Sequence, residues 1–423
     1  MTVINNTLRI RRQLHQEPTK WHDVFKRTYF DKLLNKWVHH GQQEGNLHGK
    51  YPQALINSGI FSQAIRPSSQ HEFINDLEDN PIWRSICGFK KYLPTQSWFS
   101  KHWNKEQYLE PVEGIFTGLR NLISLKKIPY KLRQAKPALD AVKSGYFPFL
   151  TDSTYFSLSE KRFDFATRGY AGPKKKYEPG AKMHLTVDGI MNSPMAFTVT
   201  EGKKHGSDLL DDHKEEISTS CKPWLRNSSD SKLIPLHIFD LGYWNIKRFW
   251  KMTKEGKMFI CPKKKNSFNK YKTTLVKKSA SENDLQEYFI WKEGSDQPLR
   301  WISVINKKKP SKRWELLTNV LDLPTHLIIS LYRLRWKIEQ FFKWLKQHLG
   351  VKRPLVTSWT GFILHIYFNL ILILLLQYYL VLLRLPRWLD NLKEILRQLL
   401  TTPTQQWFYQ RFKIPLSYKM HFI

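Results

Sequence analysis

The stretch FILHIYFNLILILLLQYYLVLL, Phe362 to Leu383, carries no Asp, Glu, Lys or Arg. A helix of that length could cross a bilayer. A segment apolar on every side must be wrapped, either by lipid or by protein. Its polar interruptions, His365, Asn369 and Gln377, favour protein, because such side chains in hydrocarbon are costly. The expectation is a buried C-terminal helix serving the core, a dimer contact or both, and no membrane span.

The rest of the chain points to a polyanionic partner. Lys and Arg number 68 against 36 Asp and Glu, a formal net charge of +32. Such a field attracts nucleic acid first and an anionic membrane surface second. A hydrophobic content of 41% excludes a disordered basic tail, and 423 residues suffice for two or three domains. The 16 Trp, 18 Tyr and 25 Phe offer rings that can stack on bases, although packing will use most of them. Cys87, Cys221 and Cys261 stand far apart with no CxxC, as expected in a reducing cytosol. The opening MTVINNTLRIRRQ has no long apolar core, so no signal peptide is expected.

Residues 1–145 read as helical. HEFINDLEDNPIWRSICGF places Phe73, Ile74, Leu77, Ile82, Trp83 and Ile86 at roughly helical spacing, and Gly88 stops it. LPTQSWFSKHW then offers Pro94 and Thr95 or Ser97 as a helix start. A helix-turn-helix-like module and a generic bundle both fit. Past Gly145 the pattern changes. YFPFLTDSTYFSLS reads as a strand running into Asp152, and KMHLTVDG and PMAFTVTEG as two more around a turn at Gly189 to Pro194. LIPLHIFDLGYW is a fourth, ending at Asp240, with Gly242 allowing a sharp exit. Together they predict a mixed α/β sheet. KMFICPKKK, KTTLVKKS, EYFIWKEG, LRWISVINKKK and RWELLTNV add five short strands, a β-rich insertion with Lys-rich turns. Trp291 and Trp301 fit core or cross-strand positions there. The runs Lys174–Lys176, Lys263–Lys265 and Lys307–Lys309 fit solvated turns or phosphate contacts. A helix begins at LDLPTH, with Pro324 and Thr325 at its start, and closes at Gly350 and Pro354.

That helix holds YRLRWKIEQFFKWLK, in which the one acid, Glu339, stands in a basic, aromatic setting. Helical spacing puts Tyr332, Arg335, Glu339 and Lys346 on one face. A surface pair between Arg335 and Glu339, worth ~0.3 kcal/mol, would explain the acid without chemistry. Asp152 and Asp240 offer another explanation. Carboxylates at strand ends point into the crevice above an open sheet, where α/β proteins place their sites. Two Asp and a Glu are hard oxygen ligands suited to Mg²⁺. Two such ions about 4 Å apart can assist an in-line displacement at phosphorus. Asp188 reads instead as a turn residue, and Asp164, Asp208, Asp211 and Asp212 as solvated. His184 and His205 lack a partner at zinc-ligand spacing.

The pattern Y-x2-R-x3-E-x6-K resembles the signature of the DDE transposases of bacterial insertion sequences, the IS-four-like group related to the Tn-five transposase. The resemblance runs over roughly residues 148–350. It implies an α/β fold with an RNase H-like mixed sheet and a β-rich insertion, between a helical N-terminal DNA-binding domain and a helical C-terminal segment. The implied boundaries are 1–145, then 146–256 with 321–358 for the catalytic domain, 257–320 for the insertion, and 359–423. Asp152, Asp240 and Glu339 would be the catalytic metal ligands, holding two Mg²⁺ that Mn²⁺ can replace. Tyr332, Arg335 and Lys346 would contact DNA. Trp314, in RWELLTN, would stack on a base flipped out as the transposon end forms a hairpin. The implied partners are double-stranded DNA, as transposon ends and target, and a second copy of the chain, in the bacterial cytoplasm at the nucleoid. The chain departs from the family at His205-Gly206, where His-Asp is common. A nuclease of the same fold that does not join DNA, and a decayed DNA-binding protein, are the competing readings.

Overall fold

The computed structural model describes residues 30–123, 136–203, 232–305 and 313–382, with short breaks at 48, 50, 90–91, 173–175, 269–270 and 280–283. Between 204 and 231 it describes His213, Ile217 and Leu225. The opening residues, Lys174 and Lys175, the Lys307–Lys309 run, His205, Gly206, Asp208, Asp211, Asp212, Cys221 and Leu383 lie outside the described residues. The chain divides into two compact units, one built from residues up to Leu122 and from Trp344 onward, the other from Ile123–Lys343.

The first unit is helical. It contains α1 (Phe30–Gln43), α2 (Pro52–Ile65), α3 (Gln70–Asp79), α4 (Pro81–Ile86), α5 (Gln96–His102) and α6 (Leu109–Leu122). The stretch expected as one helix before Gly88 is two. Asn80 leaves helical geometry, accepts from the N–H groups of Ile82 and Trp83, and starts a new helix with Pro81 in its first turn. Gly88 then takes φ +89°, and Thr95 caps α5 by accepting from Trp98 N–H at 3.4 Å.

The apolar segment is a helix from Trp359 to Leu382, long and apolar enough for a span, yet mostly buried in protein. It packs against α6 and α2. Its polar interruptions are inside: Asn369 donates to Gln63 Oε1 on α2 at 2.8 Å and to His365 O at 2.8 Å. Gly59 on α2 lets this helix approach, since a Cβ there would fall 2.3 Å from the Phe368 ring.

The second unit is a mixed sheet. Its strands are β1 (Tyr146–Ser157), β2 (Thr167–Gly172), β3 (Lys176–Asp188), β4 (Pro194–Glu201), β5 (Ile234–Phe239), β6 (Met258–Pro262), β7 (Lys272–Ser279), β8 (Leu285–Trp291), β9 (Leu299–Ile305) and β10 (Arg313–Thr318). The order is β2-β3-β1-β5-β6-β10-β9-β8-β7, with β4 on β3. β1, β5 and β6 are parallel neighbours and the other pairs antiparallel. The five Lys-rich strands thus extend the same sheet through β6 and β10. The expected turn forms at Asp188, whose carboxylate accepts from the N–H groups of Ile190, Met191 and Ser193 at 2.5–2.8 Å. β2 had no clear strand signature, because TRGYAG carries two glycines.

Further helices lie among the described residues. Lys136–Lys143 (α7) packs on β1, and Ile246–Lys254 (α8) covers a cluster of Phe239, Phe249, Phe259, Met252 and Leu317. The signature segment forms two helices, Thr325–Leu334 (α9) and Trp336–His348 (α10), where one continuous helix was expected. At Arg335 the backbone tightens, with Arg335 N–H donating to Tyr332 O and Ile338 N–H to Arg335 O, both at 3.1 Å. These i→i+3 bonds interrupt the α-helical ladder, while Arg335 itself keeps right-handed helical dihedrals. Trp359–Leu382 is α11.

Two contacts fix the start of α9. Tyr146 Oη donates to the Asp322 carboxylate at 2.8–2.9 Å. The buried Arg300 guanidinium donates to Glu287 at 2.8 Å, to Leu323 O at 2.7 Å and to Thr325 Oγ1 at 2.8 Å.

Candidate active site

β1 and β5 bring the two aspartates together. Their parallel register ends with Thr151 beside Phe239, and the next residue on each chain is a carboxylate, Asp152 or Asp240. Asp152 does not end its strand, as its sequence had implied. β1 runs on to Ser157 against β3, so Asp152 marks the end of the parallel pairing only. Asp240 leaves β5 and caps a short 3-10 turn, accepting from Gly242 N–H at 2.9 Å. Gly242 suits this exit, because a Cβ there would press on Asp240 Oδ1 at 3.1 Å.

α9 and α10 supply the third carboxylate. Arg335, at their junction, donates through Nη1 to Asp152 Oδ2 at 3.2 Å and pairs through Nη2 with Glu339 Oε1 at 2.5 Å. The i,i+4 pair anticipated as a surface contact is therefore only half of a bridge into the sheet. Asp152 is 13% exposed, Arg335 19% and Glu339 33%. Burial, and next the Asp240 charge, push the Asp152 carboxyl up to about 7; the Ser153 N–H and Arg335 oppose this and Glu339 adds to it. The Tyr332 phenol is raised mainly by burial, with the Arg335 guanidinium opposing.

Under this cluster lies a layer that sequence reasoning missed. Tyr243, three residues after Asp240, is buried with its hydroxyl 3.1 Å from His184 Nδ1. Burial, then the charges of Asp152 and Asp240, push its phenol well above its ordinary value. His184 was set aside for want of a metal partner. The register places it opposite Ser153, and burial lowers it to about 3, so it is neutral. Lys182, two residues earlier on β3, also feels the Asp240 charge, although burial lowers its pKa overall. The signal was the alternation in KMHLT, which sets Lys182, His184 and Thr186 on one face.

The other expected site residues divide. Tyr332 and Arg335 stand with the carboxylates. Lys346 lies in the last turn of α10, among residues of the first compact unit. Trp314, on β10 opposite Val304, has the Arg333 guanidinium 5.1 Å from its ring centre. Lys263 is no solvated turn residue. Its side chain is 7% exposed, pairs with Glu315 at 3.8 Å and sits 4.2 Å from the Trp301 ring centre. Trp301 stacks across the strands on Tyr288, as a hairpin residue should.

The donor chemistry suits a divalent cation. Burial, with the neighbouring carboxylate charges after it, holds the Asp152 carboxyl up at about 7, and added positive charge would stabilise its ionised form. Among the described residues no group of three His, Cys, Asp or Glu side chains is already arranged to hold a metal ion. The Arg335 guanidinium instead neutralises two of the three acids.

Aspartates beside each other on parallel strands, faced by a helix glutamate, define an acid-bearing α/β domain. Residues 145–375, more than half the chain, match the family of the transposase DDE domain. The chain belongs to that family. It is 24% identical over 239 residues to a protein of Geobacillus stearothermophilus named as the probable transposase for insertion sequence element IS5377, covering 53% of this chain and 57% of that one. It is 24% identical over 180 residues to a protein of Sinorhizobium fredii named "Putative transposase y4zB", covering 41% of this chain and 46% of that one. The chain thus spans about half the length of the curated relatives it matches.

Proposed function

We propose that the protein is the transposase of an insertion sequence. It binds the element's terminal inverted repeats, cuts there and joins the freed end to target DNA. The observation that carries this reading is the convergence of Asp152 and Asp240 at the end of the β1–β5 pairing, with Glu339 tied to Asp152 through Arg335. Membership of the transposase DDE-domain family supports it.

In this reading the catalytic domain is RNase H-like. Asp152, Asp240 and Glu339 hold divalent cations, Mg²⁺ or Mn²⁺. The cations, when bound, supply the charge that activates an attacking oxygen and stabilises the leaving one. The chain itself contributes positioning. Gly242 N–H and Ser153 N–H hold the Asp240 and Asp152 carboxylates from the backbone side. Tyr243 and neutral His184 are buried beside them, bonded to each other. Tyr332, Arg335 and Lys346 bind DNA phosphates, which gives affinity and salt dependence. Trp314 receives a flipped base as a hairpin forms at the cut end, and two copies work on paired ends. The site of action is DNA in the cytoplasm.

The test is cleavage of a labelled duplex ending in the element's inverted repeat, with Mg²⁺, by the wild type and by Glu339→Gln. End cleavage and joined products that vanish in the variant are expected. Cleavage without joining would replace transposition with simple nuclease activity, and binding without cleavage by either protein would overturn the catalytic reading.

A further inference from the structure

Arg335 occupies a peculiar position. It stands at the junction of α9 and α10, where the α-helical ladder is interrupted. Its two terminal nitrogens reach different carboxylates, Asp152 on the sheet and Glu339 one turn along the helix. Its Nε is buried without a hydrogen-bond partner. The Tyr332 ring lies alongside, 5.9 Å from the guanidinium carbon. This guanidinium therefore already does part of what a divalent cation would do for the carboxylates. A planar fork can bind two acids, or it can bind a phosphate through the same donors, but not both at once.

We propose that Arg335 is the resident cation of the carboxylate cluster, which it occupies until a substrate phosphate draws the guanidinium away and frees Asp152 and Glu339 for metal. This rests on the reading of the three acids as metal ligands. It makes metal and DNA mutually reinforcing ligands. In the free protein a metal ion must displace Arg335, and its affinity is reduced accordingly. Once a DNA phosphate holds Arg335, that competition is gone, and by linkage metal must strengthen DNA binding by the same factor. The arrangement also means that cations assemble in the cluster chiefly when substrate is present.

The test reads metal binding, not turnover. Mn²⁺ is titrated into the full-length protein without DNA, and free Mn²⁺ is followed by its electron paramagnetic resonance. Arg335→Gln is expected to bind Mn²⁺ roughly tenfold more tightly than wild type, the scale of a typical coupling between ligands. Arg333→Gln removes the same charge two residues away from a side chain that faces Trp314. It is expected to change the affinity less than about twofold, because exposed charge acts weakly. Glu339→Gln, measured in parallel, should weaken binding. Arg335→Met serves as a second variant, and thermal denaturation with and without Mn²⁺ reads the same coupling where binding is too weak to titrate. Unchanged Mn²⁺ binding in Arg335→Gln and Arg335→Met, with Glu339→Gln still weakened, overturns the resident-cation role alone. Equal tightening by Arg333→Gln also overturns it, because general electrostatics would then suffice. If Glu339→Gln binds Mn²⁺ as wild type does, the metal-ligand reading itself fails.

Discussion

Asp152 and Asp240 are next-door neighbours across two parallel strands, one step beyond the last paired residues Thr151 and Phe239. Burial first, and the Asp240 charge second, raise the cost of ionising Asp152 and push its carboxyl up to about 7. Asp240→Asn should therefore lower the Asp152 pKa, measured by carboxyl carbon NMR titration with chelator present. A pKa that stays put would mean that Asp240 contributes nothing. The same variant should lose end cleavage by roughly 10²-fold or more, if the acids stabilise charge developing at phosphorus.

The raised Asp152 also has a signature in stability. A carboxyl with a folded pKa near 7 and an unfolded value near 3.8 binds its proton more readily in the folded state. Stability from this group is fully present below pH ~4, declines as pH rises between ~4 and ~7, and is absent above. Without metal, Asp152→Asn should be more stable than wild type at pH 8 by roughly 1–3 kcal/mol, with the gain vanishing near pH 4. Urea denaturation across that range checks it. His184 works in the opposite sense. Its folded value near 3 costs stability as pH falls below its ordinary 6.5, so His184 variants should soften acid unfolding.

Much of this was readable from the chain alone. Strand runs such as LIPLHIF and RWELLT alternate or stay apolar over the right length, so their periodicity survived into β5 and β10. Thr95 was legible as one of two candidate caps, with Ser97, and its side chain is the one that meets an N–H three residues on. The break at Arg335 was not legible, and the bond that its side chain makes there reaches a carboxylate 183 positions away, outside any local pattern. Tyr243 and His184 escaped for a similar reason. The register of β1 on β3 sets His184 opposite Ser153, and the turn capped by Asp240 brings the Tyr243 hydroxyl to it.

Gly59 and Phe368 set the spacing of α2 and α11. Gly59→Ala would put a methyl 2.3 Å from the Phe368 ring, in a region with no exposed side to yield. It should destabilise the helical unit by roughly 1–3 kcal/mol, and Phe368→Leu should restore part of the loss. Thermal unfolding of the two single variants and the pair checks this; additive losses would mean that the contact is not the cause.

Arg300 and Glu287 form a buried ion pair, side chains 8% and 6% exposed, that also grips the start of α9. Arg300→Met leaves Glu287 charged and buried, and should cost roughly 3–5 kcal/mol. Arg300→Met with Glu287→Leu should recover most of that. A double variant no better than the single would show that the bonds to Leu323 O and Thr325 matter more than the charge.

α11 is made late and completes a core begun by α2 and α6 hundreds of residues earlier. On the ribosome, the apolar surfaces of those first helices wait without their cover until residue 382 has been synthesised and released. A chain cut short by a frameshift or an early stop codon would display those surfaces permanently, and chaperones and proteases recognise such surfaces. The late position of this one helix thus gives the cell a way to discard incomplete copies of the protein.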